Sequence, residues 1–249
     1  MKVLITRSKE QAEEFGERIK KLGFAPIFFP TIQITEPSSW NKADNAIRQI
    51  ENYTDIIFTS GNGVRYFFQR VKEKRSVDTL KEKIFHTVGD KTKESVESYG
   101  FQVARVPEKF DSHSLAKEIV HAVILSEARD IHSSKRHFLF PHGNLTDDTL
   151  EAAFKEHNIE IDSVVVYQTT KPTVSETLNK NVWQQLLNSD IEIVVFFSPS
   201  GVKHFIETFP NFLQLMNIRI AVIGDTTKKA CEETGISNNQ IQYIENLFH

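Results

Sequence analysis

Short apolar runs alternate with longer segments of helical spacing along most of the chain. The clearest sample spans residues 193–235. Residues 193–197 form a continuous apolar run that breaks into Ser198-Pro199-Ser200-Gly201, after which Val202, Phe205, Ile206 and Phe209 recur at helical spacing. A second run, 218–223, breaks into Gly224-Asp225-Thr226-Thr227 before another helical pattern that Gly235 closes. The reading is strand, small polar turn, helix, written twice. Turns of this kind put backbone N–H groups and hydroxyls at helix N-termini, where they suit anionic oxygen.

The same text occurs earlier. Ile56-Ile57-Phe58-Thr59-Ser60-Gly61-Asn62-Gly63-Val64 echoes 194–202, and Val88-Gly89-Asp90-Lys91-Thr92-Lys93 echoes 223–228. Val64, Phe67, Phe68 and Val71 repeat the helical spacing of the later copy. A shift of 135 residues also aligns Leu4 with Leu139, Phe15 with Leu150 and Ile19 with Phe154, so the repeat includes the first strand and helix.

In chain order the pattern predicts a strand at 3–5, a helix opened by a Ser8/Gln11 capping box with Ala12, Phe15, Ile19 and Leu22 on its apolar face and Gly23 at its end, and a strand at 24–30. Residues 31–37 are extended. A helix over 40–50 buries Ala43, Ile47 and Ile50. The first copy follows: strand 55–59, helix 63–73, strand 84–88, helix 91–99 ended by Gly100, and strand 101–106. Asp111 or Ser112 caps a helix carrying Leu115, Ile119 and Val123. The polar stretch 127–136 reads as a connection, 137–140 as a strand, and Pro141-His142-Gly143-Asn144 as its turn. A helix carries Leu150, Ala153 and Phe154, 159–170 is a long extended segment, and 173–188 is a helix. After Gly235 only 236–249 remain, so the second copy is expected to lack or shorten a last helix. Continuous apolar strands alternating with helices describe parallel sheets covered on both faces, whose ligands bind beyond the C-terminal strand ends. Every polar turn named above falls there.

Composition narrows this little. The 249 residues suit two domains, and 39% hydrophobic with 25% charged residues describes an ordinary globular chain. Thirty basic against 33 acidic residues give −3, so no strong field recruits nucleic acid or an anionic membrane. The single cysteine, Cys231, excludes an internal disulfide. Opposite Val96 in the aligned repeat, it reads as a small core residue. No run has the length of a membrane-spanning helix or the form of a signal peptide, and the expected compartment is the cytoplasm. The nine histidines, His132, His137 and His142 among them, show no metal-ligand spacing. Neither a P-loop nor GxGxxG follows any strand, which argues against a nucleotide-binding enzyme.

The ordered set Leu4-Ile5-Thr6-Arg7, Phe58-Thr59-Ser60 with Asn62-Gly63-Val64, Val88-Gly89 with Thr92, Val166-Tyr167-Gln168-Thr169, Phe197-Ser198-Pro199-Ser200-Gly201-Val202, and Ile223-Gly224 with Thr226-Thr227 resembles uroporphyrinogen-III synthase. The resemblance implies two α/β lobes, each a parallel sheet covered by helices on both faces, joined by a two-stranded linker. Residues 1–33 and 173–249 would form one lobe, 37–165 the other, and 31–36 and 166–172 the linker strands. It implies a monomeric lyase of porphyrin biosynthesis that acts on hydroxymethylbilane, a linear tetrapyrrole. The hydroxymethyl oxygen leaves as water, the last pyrrole ring inverts through a spiro intermediate, and the macrocycle closes to uroporphyrinogen III. No metal or cofactor takes part. Transient handover from hydroxymethylbilane synthase is an expected partnership.

The substrate carries eight carboxylates, and a chain of net charge −3 offers no basic cleft by composition. Helix N-termini are the alternative, each contributing on the order of 1 kcal/mol or less, at turns beginning near Thr6, Ser60, Gly89, Gly143, Ser198 and Gly224. The resemblance implies Thr6, Arg7, Thr59, Ser60, Asn62, Gly89, Thr92, Ser112, Gly143, Ser198, Ser200, Arg219, Gly224, Thr226 and Thr227 as substrate contacts and Tyr167 as the proton donor to the leaving oxygen. Phenols keep their proton at neutral pH and are competent donors. Each residue also has a plain structural reading: Ser60, Ser198, Thr92 and Thr226 as helix caps, Tyr167 as a half-buried strand tyrosine. The alternative function is a non-catalytic two-lobed protein that binds an anionic small molecule. Two turns depart from the family: Pro141-His142-Gly143 lacks the arginine frequent there, and Asp225 puts a negative charge, or a cap for its own helix, at the Gly224 turn.

Overall fold

The computed structural model describes residues 1–7, 9–109, 111–129 and 135–247. The chain divides into two compact units, Met1–Gln33 with Thr170–His249, and Ile34–Thr169. We call them unit 1 and unit 2. The elements are β1 (Lys2–Ile5), α1 (Lys9–Lys21), β2 (Ala25–Phe28), β3 (Gln33–Thr35), α2 (Asn41–Arg48), β4 (Asp55–Phe58), α3 (Gly61–Lys74), β5 (Ile84–Thr87), α4 (Asp90–Glu97), β6 (Val103–Arg105), α5 (Ser112–Arg129), β7 (His137–Gly143), α6 (Thr149–Glu156), β8 (Glu160–Thr170), α7 (Glu176–Leu187), β9 (Ile191–Phe196), α8 (Pro199–Thr208), β10 (Arg219–Val222), α9 (Asp225–Glu233) and β11 (Ile241–Tyr243).

Unit 1 holds a parallel sheet in the order β11-β10-β9-β1-β2. In unit 2, β6-β5-β4-β7-β8 repeats that order in parallel, with β3 added beside β8. The repeat in the sequence is thus a repeat in space: β4 matches β9, β5 matches β10, and β7 and β8 match β1 and β2. Both sheets are doubly wound about a switch point, between β1 and β9 in unit 1 and between β7 and β4 in unit 2. In open sheets of this order ligands bind where the strands reverse, beyond their C-terminal ends.

Strand alternation divides each core in two. In unit 2, Ile56 and Phe58 face α2, α3 and α4, packing on Ala43, Ile47, Phe67, Phe68 and Val96, while Ile57 faces α5 and α6 at Leu115, Ile119, Leu150 and Phe154. In unit 1, Val194 and Phe196 face α7, α8 and α9 at Val182, Leu186, Phe205 and Cys231. Its other face, Val3, Ile5, Ile193, Val195 and Ala221, is covered by α1 together with Ile244 and Leu247 from a short 3₁₀ turn. Cys231 and Val96 are both fully buried, and burial pushes the Cys231 thiol up to about 12.

Gly23, Gly100 and Gly235 have φ of +82°, +89° and +93° just past the ends of α1, α4 and α9, the left-handed position that glycine takes without strain. Four expectations need correction. Leu22 lies past the end of α1 and is 41% exposed. β7 runs through Pro141 and His142 to Gly143, because β8 pairs with it along that whole length. α5 continues to Arg129, so the first part of the expected connection is helix. α7 starts at Glu176, where the Ser175 hydroxyl accepts from the Leu178 N–H at 3.2 Å. The capping role expected of Ser8, and His132, lie outside the described residues. Among the described residues no helix is long and apolar enough to cross a membrane.

Candidate active site

In unit 1 the switch point gathers Thr6 and Arg7 from the end of β1 and Phe197, Ser198 and Ser200 from the end of β9. Thr6 is buried, and its hydroxyl donates to the Val195 carbonyl at 2.7 Å, tying the two strand ends together. The Thr31 hydroxyl donates in turn to the Thr6 carbonyl at 3.3 Å. Arg7 stacks its guanidinium 4.5 Å from the Phe197 ring centre. Burial lowers its pKa, since the cation is partly stripped of water. Ser198 caps α8, accepting from the Gly201 N–H at 3.2 Å, with the Ser200 hydroxyl 3.3 Å away. One strand over, Gly224 is the N-cap of α9 and supplies no side-chain cap; the Thr227 N–H turns back to the Gly224 carbonyl at 3.1 Å, which leaves the Asp225 and Thr226 N–H groups as the uncapped ones of the first turn. Thr226 is exposed on that turn, whereas Thr227 faces inward, 1% exposed. Asp225 does not cap its helix; its carboxylate accepts from the Tyr243 hydroxyl.

Unit 2 repeats the arrangement. Ser60 caps α3, accepting from the Gly63 N–H at 3.0 Å, and Gly89 starts α4 without a side-chain cap. Thr59 is half-buried after β4, Asn62 lies in the first turn of α3, and Thr92, the counterpart of Thr227, is buried. Ser112 opens α5, whose N-terminal Asp111 accepts from the Ser114 N–H at 2.7 Å. Thr59, Val88, Lys109, Ser112 and Thr149 share a cavity of about 420 Å³ at the C-terminal end of β4. Thr92 and Thr226 are therefore not caps, while Ser60 and Ser198 are.

Unit 2 adds a group that unit 1 lacks. Tyr167 sits near the end of β8 beside Gly143 of β7. Its hydroxyl is 3.2 Å from the Ser60 hydroxyl, and its ring is stacked with Tyr66 at 6.0 Å between centres and 23° between planes. A Cβ on residue 143 would lie 2.4 Å from the Tyr167 Cζ, so only glycine leaves room for this ring. That corrects the reading of Gly143: it is a strand residue six positions before α6, and what it gives Tyr167 is space, not a helix N-terminus. Arg219 is set apart as well. It opens β10 and is exposed at the N-terminal edge, about 10 Å along the strand from Val222 and away from the turns. Sequence reasoning missed Tyr66, which reads as one more helix residue, and Thr31, which reads as linker.

A third polar group lies at the other end of the unit 2 strands. Asp55 is fully buried, held by two guanidinium nitrogens of Arg136, Nε and Nη2, by the His86 Nε2–H at 2.7 Å and by the Thr54 hydroxyl at 2.7 Å. Burial alone would raise the Asp55 pKa; the bonds from His86, Arg136 and Thr54 outweigh it and leave it lowered. Burial lowers His86, against the opposing bond to Asp55. Its Nδ1 has no partner, so a proton there would be stranded in the core. No group of three or more ligand-type side chains among the described residues is placed to hold a metal ion.

Comparison with known proteins agrees with this architecture. The family described as Uroporphyrinogen-III synthase HemD matches residues 13–243. The uroporphyrinogen-III synthase of Chlorobaculum parvum is 28% identical over 236 residues, covering 94% of this chain and 89% of that one. Two solved structures share the fold at 16% identity: a mutant uroporphyrinogen III synthase from Thermus thermophilus, with TM-score 0.66 over 98% of this chain and 93% of that one, and the Helicobacter pylori enzyme, with TM-score 0.63 over 97% and 92%. A match over nearly the full length, on a chain that repeats one doubly wound sheet with the same turns at both switch points, places this protein in the uroporphyrinogen-III synthase family.

Proposed function

We propose that the chain is a hydro-lyase that converts hydroxymethylbilane to uroporphyrinogen III, with Tyr167 as the proton donor. The observation that carries this is the Tyr167–Ser60 pair over Gly143. The Ser60 oxygen already accepts the Gly63 N–H. Its own proton is free to go to the Tyr167 oxygen, which leaves the phenolic proton for the substrate. As the C–O bond of the hydroxymethyl group breaks, its electron pair stays on oxygen, the Tyr167 proton completes water, and an azafulvene cation remains. The terminal ring attacks the azafulvene methylene through its substituted α-carbon, giving the spiro intermediate; that carbon's bond to its original bridging methylene then breaks, and the freed methylene bonds to the ring's other α-carbon, which inverts the ring and closes the macrocycle. The proton lost as the pyrrole regains aromaticity returns to Tyr167. The substrate's own carboxylates stabilise the cation.

Each unit offers carboxylate donors at its own switch point: Arg7, Ser200, Thr226 and the N-terminus of α9 in unit 1, and Thr59, Asn62, Ser112 and the N-terminus of α4 in unit 2. These supply cation and N–H or O–H donors for carboxylates without a high net positive charge. Positioning is the larger part of the work, because closure without inversion is spontaneous and the enzyme must favour the inverted route. Spontaneous closure is also why a direct handover from hydroxymethylbilane synthase suits this substrate.

The test is to supply fresh hydroxymethylbilane, oxidise the products and separate type I from type III isomers. Type III in excess is the expected result, with Tyr167→Phe about 10²-fold slower but still yielding type III. Type I alone, at the rate of a buffer blank, would overturn the reading.

A further inference from the structure

The proton donor proposed above is a phenol on a strand, and a tyrosine side chain has several staggered positions open to it. What fixes this one is visible in unit 2. Gly143 clears one side: a Cβ there would come within 2.7 Å of the Tyr167 oxygen as well as 2.4 Å of Cζ. Tyr66 presents its ring to Tyr167 at 6.0 Å and 23°, inside the range of offset stacking. Tyr66 is itself pinned. Its hydroxyl donates to the Ile34 carbonyl of β3 at 3.3 Å, and the Arg65 guanidinium lies 4.8 Å from the centre of its ring. Ser60, the hydrogen-bond partner of the phenol, precedes the same helix, α3. One helix thus delivers both the group that bonds the Tyr167 oxygen and the group that fixes its ring plane.

We propose that Tyr66 is a positioning residue for Tyr167, holding the phenol in the orientation from which its proton reaches the leaving oxygen. The proposal rests on the reading of Tyr167 as donor. Tyr66 needs no contact with the substrate; it acts on the population of one Tyr167 conformer. If removing the stack lets the ring spread over its staggered positions, the competent fraction falls to about a third, and kcat falls in proportion. Substrate binding uses other groups, so KM is unaffected.

The experiment compares Tyr66→Phe, which keeps a ring, with Tyr66→Leu, which does not, in the full-length protein. Product isomers and steady-state kinetics are measured alongside the NMR spectrum of protein carrying ¹³C-labelled tyrosine rings. Tyr167→Phe assigns the Tyr167 resonance by deleting it. Tyr66→Leu is expected to lower kcat about threefold with KM unchanged, to shift the Tyr167 resonance as the ring current of Tyr66 is lost, and to raise the share of type I product. Tyr66→Phe is expected to stay within twofold of the parent on all counts. Gly143→Ala provides a second route should Tyr66→Leu fold poorly: it invades the ring's space and is expected to lower kcat and move the same resonance. A parent-like kcat or an unmoved Tyr167 resonance in folded Tyr66→Leu overturns the proposal, as does an equal kcat loss in Tyr66→Phe; with Tyr66→Leu unfolded, the same parent-like result in Gly143→Ala overturns it. The underlying reading fails separately, through parent-like turnover in Tyr167→Phe.

Discussion

The two units are built on one plan and differ at opposite ends of their strands. Around the central strands the registers match: Asp55 pairs with Ile84 and Phe138 in unit 2, and Ile193 pairs with Arg219 and Val3 in unit 1. At the C-terminal ends both units place a serine-capped helix beside a glycine-started one, α3 and α4 against α8 and α9. At the N-terminal ends the likeness stops. Unit 2 buries Asp55 and His86 and sets a half-buried Arg136 against them where unit 1, by the same alignment, has Ile193, Ala221 and Met1. The units also differ in cover, since α5 and α6 pack on the face that in unit 1 is served by α1 and a 3₁₀ turn. What the copies share is the chemistry of the turns; what they do not share is how each sheet is held.

The comparison breaks most sharply at Arg136. Arg136→Ala leaves Asp55 ionised and buried with its main counter-charge gone, and the expected cost is about 3–5 kcal/mol. Urea unfolding of the two proteins measures it. Replacing the group with its unit 1 counterparts, as Asp55→Ile, His86→Ala and Arg136→Met together, is expected to recover most of that loss, because an apolar core of similar volume needs no ion pair. A triple variant no more stable than Arg136→Ala would show that the network does more for unit 2 than satisfy itself.

A smaller effect depends on pH. His86 is held neutral by burial, with a pKa below the 6.5 of a free histidine. As pH falls through about 6.5 the unfolded chain takes up a proton that folded His86 refuses, so stability declines until the lower folded value is reached. The lowered Asp55 carboxyl acts in a different window: its contribution is full above about 4 and is lost as pH falls through its folded value. Between pH 7 and 5 the slope of stability against pH is therefore expected to be shallower in His86→Ala than in the parent. Equal slopes would remove His86 as the cause. Hydrogen exchange would locate the change in β4 and β5, with β9 and β10 unaffected.

Much of this architecture is written in periodicity. Val64, Phe67, Phe68 and Val71 mark α3 because its apolar face must return every three to four residues, and Gly100 marks the end of α4 because few other residues accept that φ. The turns are legible for the same local reason: Ser60 and Ser198 each reach an N–H three residues on. Two kinds of feature are not legible. Asp55 and His86 sit inside apolar runs where a lone polar residue has no visible partner, since Arg136 is 81 residues from Asp55. Gly143 reads as a turn residue because glycine usually is one; only the approach of Tyr167, brought by the neighbouring strand, shows why the side chain is absent. Tyr66 belongs to the same class, its partner lying about a hundred residues away. Local chemistry is written locally, and the fixing of the proposed proton donor is not.

The finest division between the units is drawn by their two caps. Ser60 and Ser198 do the same local work, each accepting one N–H at the start of a helix of the same plan, and alanine at either is expected to cost about 1 kcal/mol. Their second partners differ. Ser198 has the Ser200 hydroxyl at 3.3 Å, and Ser60 has the Tyr167 hydroxyl at 3.2 Å. Stability measurements on Ser60→Ala and Ser198→Ala should therefore nearly coincide, while turnover should separate them. Ser60→Ala removes the group that directs the phenolic proton and is expected to lower kcat by about tenfold, the size of one lost hydrogen bond of roughly 1.4 kcal/mol. Ser198→Ala is expected to act mainly on KM, through the donors beside Arg7. Equal kcat losses in the two variants would mean that the Tyr167 hydroxyl does not set Ser60 apart from Ser198.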